Sequence, residues 1–265
     1  MVEKIVFTNS QQDFFAELGF SSFDDFFDYP AKEMSKNSKR SAAELRLGNG
    51  TEQKIFFLKR FHNPHFKDII STWRTFGRPT SQAVVEWTNA NLLSDHGIGT
   101  YQPVCLGEQT KFGIEKKSFL ITEKLKGLCF TDFIARNFLR LAQSQKEKII
   151  ISLAKLIRRI HDARISLPDL YVWHIFIEET KDNEWDFAVI DLHRMAHNVT
   201  DKNQQIRNVG RLDHSMPDKY FDDRLRQLFI ESYAGDNWPG GTALLADQVK
   251  KYSKKLSSRR NPKPY

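Results

Sequence analysis

The chain has 265 residues, 21 of them Phe, with 28% charged residues and a formal net charge of +7. That length supports a good core, either as one large domain or as two lobes. With no apolar run of about eighteen residues and no signal-peptide pattern at the amino terminus, a cytoplasmic chain without a membrane span is expected. Cys105 and Cys129 stand in no metal-ligand spacing and fit a reducing compartment as two packed thiols.

Along the chain, Ser22-Phe-Asp-Asp25 has capping-box form and predicts a short helix before Tyr29-Pro30. The apolar runs at residues 43–47 and 54–61 flank Gly48-Asn49-Gly50 and predict a β-hairpin. In its second strand Ile55, Phe57, Lys59 and Phe61 share one face, so Lys59 is either snorkelling at a sheet edge or paired with an anion. Residues 80–94 carry a helical pattern that stops at Gly97 and sets Glu86 on or beside the apolar stripe, where an unpaired carboxylate is costly. Residues 118–122 read as a strand and residues 123–127 as a connector. Ser144-Gln-Lys-Glu147 is a second capping-box pattern, opening a helix with Ile149, Leu153, Leu156, Ile157 and Ile160 on one side.

The segments Asp169-Leu-Tyr-Val-Trp-His174 and Ile190-Asp191-Leu-His-Arg194 carry the clearest chemical signal. Between them, two apolar, β-prone runs enclose the turn-forming Lys181-Asp182-Asn183-Glu184. A hairpin centred on Asp182 and Asn183 pairs His174 with Asp191, so Asp169, His174 and Asp191 are expected to converge at one end of a small sheet. A polar loop is expected to about Gln205, then a helix over residues 224–233 that ends near Gly235. From Lys250 to Tyr265 there are seven basic residues and no acid, which accounts for the whole net charge. Such a terminal basic helix or tail suits an anionic membrane or lipid, or is simply a solvated end. No nucleic acid is expected, because the neutral remainder offers no basic face with interleaved aromatics.

Phosphoryl transfer from a magnesium nucleotide asks for a cation on the donor phosphates, oxygen ligands for the metal, and a carboxylate that orients the acceptor hydroxyl. Lys59 can hold phosphates with Glu86 as its ion-pair partner, Asp169 can serve as base, and Asp191 can bind magnesium. Their order, with a polar residue five after the first aspartate, is that of the protein-kinase signature set. The segments Phe57-Leu-Lys-Arg60, Val85-Glu-Trp87 with Gly97-Ile98, Phe119-Leu-Ile-Thr-Glu123, Asp169-Leu-Tyr-Val-Trp-His-Ile-Phe176, Ile190-Asp-Leu-His-Arg194 and Asp223-Arg-Leu-Arg226 also match a known pattern. Through them the chain resembles the lipopolysaccharide kinase family, the Kdo and heptose kinases of the bacterial lipopolysaccharide core, over most of residues 20–235.

The resemblance implies an α+β, protein-kinase-like two-lobed fold, with a strand-rich N-terminal lobe, a helical C-terminal lobe and the active site in the cleft. The expected divisions are 1–125 (nucleotide-binding lobe, mostly β with one long helix), 126–249 (catalytic and substrate-binding lobe) and 250–265 (basic tail). It implies ATP and magnesium as cofactors, and a heptose or Kdo hydroxyl of the lipopolysaccharide inner core, or a related anionic glycolipid, as acceptor. The place of action is then the cytoplasmic face of the inner membrane, with the basic tail on the anionic surface. His174 falls where protein kinases carry a magnesium-binding asparagine, so it either binds metal or hydrogen-bonds Asp169 or a phosphate. Glu123 falls on the nucleotide side. Two departures stand out. Leu167 replaces the histidine that family members carry two residues before the catalytic aspartate, and no Gly-x-Gly-x-x-Gly is present. Phosphate cover is therefore assigned to Ser35-Lys-Asn-Ser-Lys-Arg40, with Lys36 and Lys39. The alternatives are a protein (auto)kinase of the same fold and a non-catalytic pseudokinase or scaffold at the membrane. His62-Asn-Pro-His65 lacks a third ligand and reads as loop; His193 and Arg194 either contact phosphate or substrate or anchor the loop after Asp191.

Overall fold

The computed structural model describes residues 1–8, 11–48, 53–62, 64, 72–73, 77–180 and 184–257. It divides into two compact units, Met1–Leu92 with Tyr101–Leu125, and Leu93–Thr100 with Lys126–Tyr265.

The first unit contains β1 (Val2–Phe7), α1 (Gln11–Glu17), α2 (Phe23–Phe27), β2 (Lys32–Lys36), β3 (Arg40–Leu47), β4 (Lys54–His62) and most of α3 (Gln82–Asp95). After β5 (Gly99–Thr100), which belongs to the second unit, come β6 (Pro103–Lys111) and β7 (Ile114–Glu123). The strands form a six-stranded sheet in the order β1-β6-β7-β4-β3-β2. Each neighbouring pair is antiparallel. The predicted β3–β4 hairpin is present, with Ala43 opposite Leu58; Asn49 and Gly50 of its turn lie outside the described residues. One face of the sheet is covered by a cluster of Phe15, Phe20, Phe23, Phe26, Phe27, Phe56 and Phe119 with Leu45, Leu58 and Ile121, which is where much of the phenylalanine content goes. Gly107 lets the Phe119 ring lie flat on β6, since a Cβ there would sit 2.2 Å from it. The predicted capping box holds α2: Ser22 Oγ accepts from Asp25 N–H and the Asp25 carboxylate accepts from Ser22 N–H at 2.7 Å. The N–H groups of Ser21 and Ser22 keep the Asp25 carboxyl down to about 2. Neither β1 nor α1 has a counterpart in the sequence reading.

The second unit holds β8 (Leu128–Cys129), α4 (Phe130–Arg136), α5 (Gln143–Asp162), β9 (Ile175–Glu179), β10 (Trp185–Val189), α6 (Lys202–Ser215), α7 (Asp223–Ala234) and α8 (Gly241–Ser257). Its sheet runs β5-β10-β9-β8. The segment Leu93–Thr100 groups here because β5 pairs parallel to β10, and Thr100 Oγ1 donates to Val189 O at 2.7 Å. Two expectations change, and one of two alternatives is selected. Helix α5 starts earlier than the Ser144 pattern predicts: Gln145 Oε1 accepts from Ala142 N–H at 3.0 Å and caps the end, while Glu147 pairs with Arg224 at 2.6 Å. Residues 202–215, the first four expected as the end of a polar loop and the rest given no element in the sequence reading, form α6, with Asp201 accepting from Asn203 N–H at its start. The basic end, read as helix or tail, is helical through Ser257, with Leu245 and Val249 buried and Lys250, Lys251, Lys254 and Lys255 exposed. Arg259, Arg260 and Lys263 lie outside the described residues. Among the described residues no helix is long and apolar enough to cross a membrane.

The β9–β10 hairpin exists, but its register is one residue from the predicted one: Ile175 faces Val189, and Ile190 N–H donates to His174 O at 2.9 Å. The turn residues 181–183 lie outside the described set. His174 is thus opposite Ile190 rather than Asp191, and strict alternation would aim Asp191 to the other face of the sheet.

Candidate active site

In the first unit Lys59 stands on the central strand β4, between Ala42 of β3 and Leu120 of β7. Its ammonium meets Glu86 of α3 at 2.6 Å, and Glu86, only 1% exposed, also accepts from Tyr101 O–H at 2.8 Å. The anion expected beside Lys59 is therefore Glu86, and Tyr101, missed in sequence, is the second donor that makes a buried carboxylate tolerable. Lys59 also lies 5.4 Å from the Tyr101 ring centre.

The Ser35–Arg40 segment forms the β2–β3 turn. Asn37 Oδ1 accepts from Lys39 N–H and Arg40 N–H, each at 2.9 Å, and shapes it. Lys36 points to Glu33 at 3.1 Å in an exposed pair of little energetic weight. Lys39 differs: its Nζ is shut off from water and has no hydrogen-bond partner among the described residues. A sequestered ammonium without a partner is a demand for an anion. At the neighbouring strand end, burial together with Lys117, Arg60 and Lys36 pushes the His62 imidazole below its ordinary range. His62 packs edge-on to the Phe27 ring; His65 lies outside the described residues. Glu123, the last residue of β7, is exposed and its N–H donates to Gln102 O at 2.9 Å.

In the second unit Asp169, His174 and Asp191 do converge, by a route other than pairing. Asp191 adopts φ 65° and ψ 61°, a left-handed backbone that a non-glycine residue rarely takes. That turn brings its Oδ2 to 3.6 Å from His174 Nε2 despite the one-residue register difference. The Nδ1 of His174 lies 2.7 Å from the carbonyl oxygen of Asp169. A carbonyl only accepts, so Nδ1 carries a proton and Nε2 is the nitrogen turned toward Asp191. With the imidazole neutral, Nε2 and the carboxylate together are a donor set for a cation. Asp191 and His174 are therefore the residues that fit a divalent metal, with the carboxylate the better magnesium ligand. His193 Nδ1 donates to Asp191 Oδ1 at 2.8 Å and fixes the carboxylate's orientation. Arg194 NH1 reaches both oxygens of Asp169, at 3.0 and 3.3 Å. Arg194 thus serves the Asp169 carboxylate across the loop, although no arginine precedes that residue in sequence. Leu167, Asp169, His174, Asp191 and Arg194 line one small pocket with Pro168 and Met195.

The loop is anchored without the missing histidine. Asn208 of α6, 2% exposed, accepts at Oδ1 from Leu167 N–H (2.9 Å), Ser166 Oγ–H (3.0 Å) and His161 Nε2 (3.2 Å). The backbone donor at Leu167 fixes which amide atom faces the loop, and His161 must then accept at Nδ1 from Tyr233 O–H, 2.7 Å away. Burial pushes His161 down to about 4 and the Tyr233 hydroxyl up. Ser215 Oγ accepts from Val172 N–H at 3.0 Å, and Ser166 and Ala196 exchange both backbone bonds, at 2.9 and 3.0 Å. Asn208 and Ser215 are the functional residues that sequence reading missed. Their signal was the spacing of Ile206, Val209 and Leu212, which marks residues 202–215 as an amphipathic helix.

Residues 33–233 match the profile of the lipopolysaccharide kinase (Kdo/WaaP) family. The chain belongs to that family. It is 29% identical over 146 residues to the lipopolysaccharide core heptose(I) kinase WaaP of Escherichia coli strain K12, covering 53% of this chain and 55% of that one. With the protein of the same name from Pseudomonas aeruginosa it shares 22% identity over 184 residues, 67% of this chain and 69% of the relative. The chain spans about half the length of the Escherichia coli relative it matches. A solved structure of WaaP in complex with acyl carrier protein superposes with a TM-score of 0.71 at 18% identity, over 96% of this chain and 99% of that one. That likeness shows the fold, the protein-kinase-like α+β architecture expected from the motifs. Lys59, Glu86, Asp169 and Asp191 all lie within the matched range, and there the backbone of Leu167 is held by Asn208 of α6.

Proposed function

We propose that this member of the lipopolysaccharide kinase family is an ATP-dependent phosphotransferase whose acceptor is a sugar hydroxyl, heptose or Kdo, of the lipopolysaccharide inner core. The observation that carries the reading is the left-handed turn at Asp191, which aims its carboxylate at His174 Nε2 beside the Asp169 loop. Backbone strain held at a cluster of acceptors is a mark of a working site. Asp169 orients the acceptor hydroxyl and takes its proton. Because Arg194 holds both its oxygens, Asp169 acts more by position than by basicity, which suits a loose phosphoryl-transfer transition state in which the proton leaves late. Lys59, kept in place by Glu86, is assigned to the donor phosphates, with Lys39 as the second cation of the nucleotide side. Asp191 and His174 are assigned to magnesium, which when bound neutralises charge building on the phosphoryl oxygens. Glu123 and Lys36 stay assigned to the nucleotide side, the latter only where its pair with Glu33 opens.

The exposed lysines of α8 are assigned to the anionic membrane surface where such a glycolipid resides. Acyl carrier protein, found with the solved relative, is a partner to be tested for this chain. The deciding experiment is transfer of labelled phosphate from ATP to dephosphorylated core glycolipid, with Asp191→Asn as control. Label on the glycolipid that disappears in the variant supports the reading. Label only on the protein itself means an autokinase, and ATP binding without any transfer means a pseudokinase.

A further inference from the structure

The turn between β6 and β7 is built from Phe112 and Gly113, with φ 53° and 73°. Two successive positive φ values are the pattern of the tight hairpin turn in which Asn-Gly is favoured. A phenylalanine in the first position is out of place on backbone grounds, because a bulky side chain is strained there. It is also 93% exposed, so no packing within the fold offsets that strain. Ile114, the next side chain after the turn, is 38% exposed, and Val2, opposite Thr110 on the neighbouring strand, is 68% exposed. Strain and exposure together, at an apolar ring, call for a role outside the folded chain.

The charges around the tip narrow the partner. Lys111 and Lys116 are exposed, Lys117 is partly so, and the Lys111 ammonium lies 5.8 Å from the Phe112 ring centre. The one acid between residues 110 and 117, Glu115, is 6% exposed and turned inward, accepting from Ser118 Oγ–H and from Gln82 N–H at 3.1 Å. Between residues 110 and 117 the exposed charges beside the ring are therefore those of Lys111 and Lys116; the Lys117 ammonium lies over the Phe27 ring, and the exposed Glu3 on β1 accepts from Gln109 Nε2. Three apolar side chains cover a small part of the roughly 1,200 Å² that a stable protein interface needs. A lipid surface, in contrast, accepts a single ring at headgroup depth with lysines on the phosphates around it.

We infer that the β6–β7 hairpin tip inserts Phe112 into the interface of an anionic bilayer while Lys111 and Lys116 hold lipid phosphates. It is a contact separate from the lysines of α8 and does not rest on the phosphotransferase reading.

The test is co-sedimentation of the full chain with vesicles of phosphatidylglycerol and phosphatidylethanolamine, and with phosphatidylcholine vesicles, without ATP. Phe112→Asn suits the positive φ, so its Tm is expected to equal or exceed that of the native chain. Its partition onto the anionic vesicles is expected to fall about tenfold, the scale set by withdrawing one aromatic ring from an apolar contact. Lys111→Glu with Lys116→Glu is expected to remove most of the salt-sensitive part of the binding. Unchanged sedimentation of Phe112→Asn overturns the inference. So does an equal loss on phosphatidylcholine, or a variant that binds vesicles normally but loses self-association in analytical ultracentrifugation, which makes the tip a protein contact. Transfer to a deacylated, soluble acceptor is expected to be the same in Phe112→Asn, so failure here and failure of the kinase reading give different results.

Discussion

Replacing Asn208 by Ala removes one oxygen that accepts three bonds, from Leu167 N–H, Ser166 Oγ–H and His161 Nε2, in a site where all four residues are at most 6% exposed. The Ser166 hydroxyl can rotate toward another acceptor, whereas the Leu167 amide and the imidazole N–H are fixed. At about 1–3 kcal/mol for each of the two stranded donors, the loss of stability comes to about 2–6 kcal/mol. For a chain of this size that lowers Tm by about 4–20 °C. Leu167 is two residues before Asp169, so the same change loosens the proposed base: kcat is expected to fall about 10- to 100-fold while KM for ATP stays within about twofold. Asn208→Asp keeps an acceptor in place, so it restores the loop and kcat. It also sets a carboxylate against His161 and draws that imidazole's pKa upward. Chemical denaturation and steady-state turnover of the two variants are the measurements. An Ala variant as stable and as active as the parent would show that Asn208 does not hold the loop, and equal damage from Ala and Asp would show that volume rather than hydrogen bonding matters there.

Acid should act through His161. Its folded pKa of about 4 lies below the ordinary 6.5, so the unfolded chain binds the extra proton between those values and stability falls as pH drops through them. The contribution is complete above about pH 6.5 and about 3 kcal/mol smaller near pH 4, and His161→Gln should flatten that part of a stability-against-pH curve. Lys59→Met leaves the buried Glu86 carboxylate without its cation, still accepting from Tyr101 O–H, and should cost about 2 kcal/mol, less than for a fully buried pair because Lys59 is about a quarter exposed. Adding Glu86→Leu should return most of that stability while turnover stays lost; a double variant no more stable than Lys59→Met would refute the coupling. His174→Asn replaces an imidazole nitrogen by an amide oxygen and should lower activity with manganese more than with magnesium. An unchanged ratio of the two activities would remove His174 from the metal site.

Strands β3, β4 and β7, the short helix α2 and the helix bearing Glu86 were legible because their signals are local: alternation along β4, a capping box at Ser22, a glycine stop at Gly97. Lys59 and Glu86 could be placed on their elements, and their pairing could be anticipated from the cost of a buried carboxylate. The β9–β10 hairpin was legible in kind but not in register, because register depends on how a turn closes, and one residue moves every partner. The convergence of His174 and Asp191 came out close to expectation for a different reason, a left-handed φ that no composition rule signals for an aspartate. Helix α6 was masked by its polar start, and Asn208 with it; an asparagine becomes an anchor only through what folds against it from residues 161, 166 and 167.

The left-handed backbone at Asp191 bears on the choice between a working kinase and a pseudokinase. Glycine would occupy that conformation without the side-chain strain, to a gain of up to about 1 kcal/mol. Drift favours such relief wherever a site has lost its task, since stability is the property left under selection. In this chain the strained residue is still the acidic one, and His174 and His193 still face it. An Asp191→Gly variant that is inactive yet harder to unfold would show that stability is being given up here for chemistry.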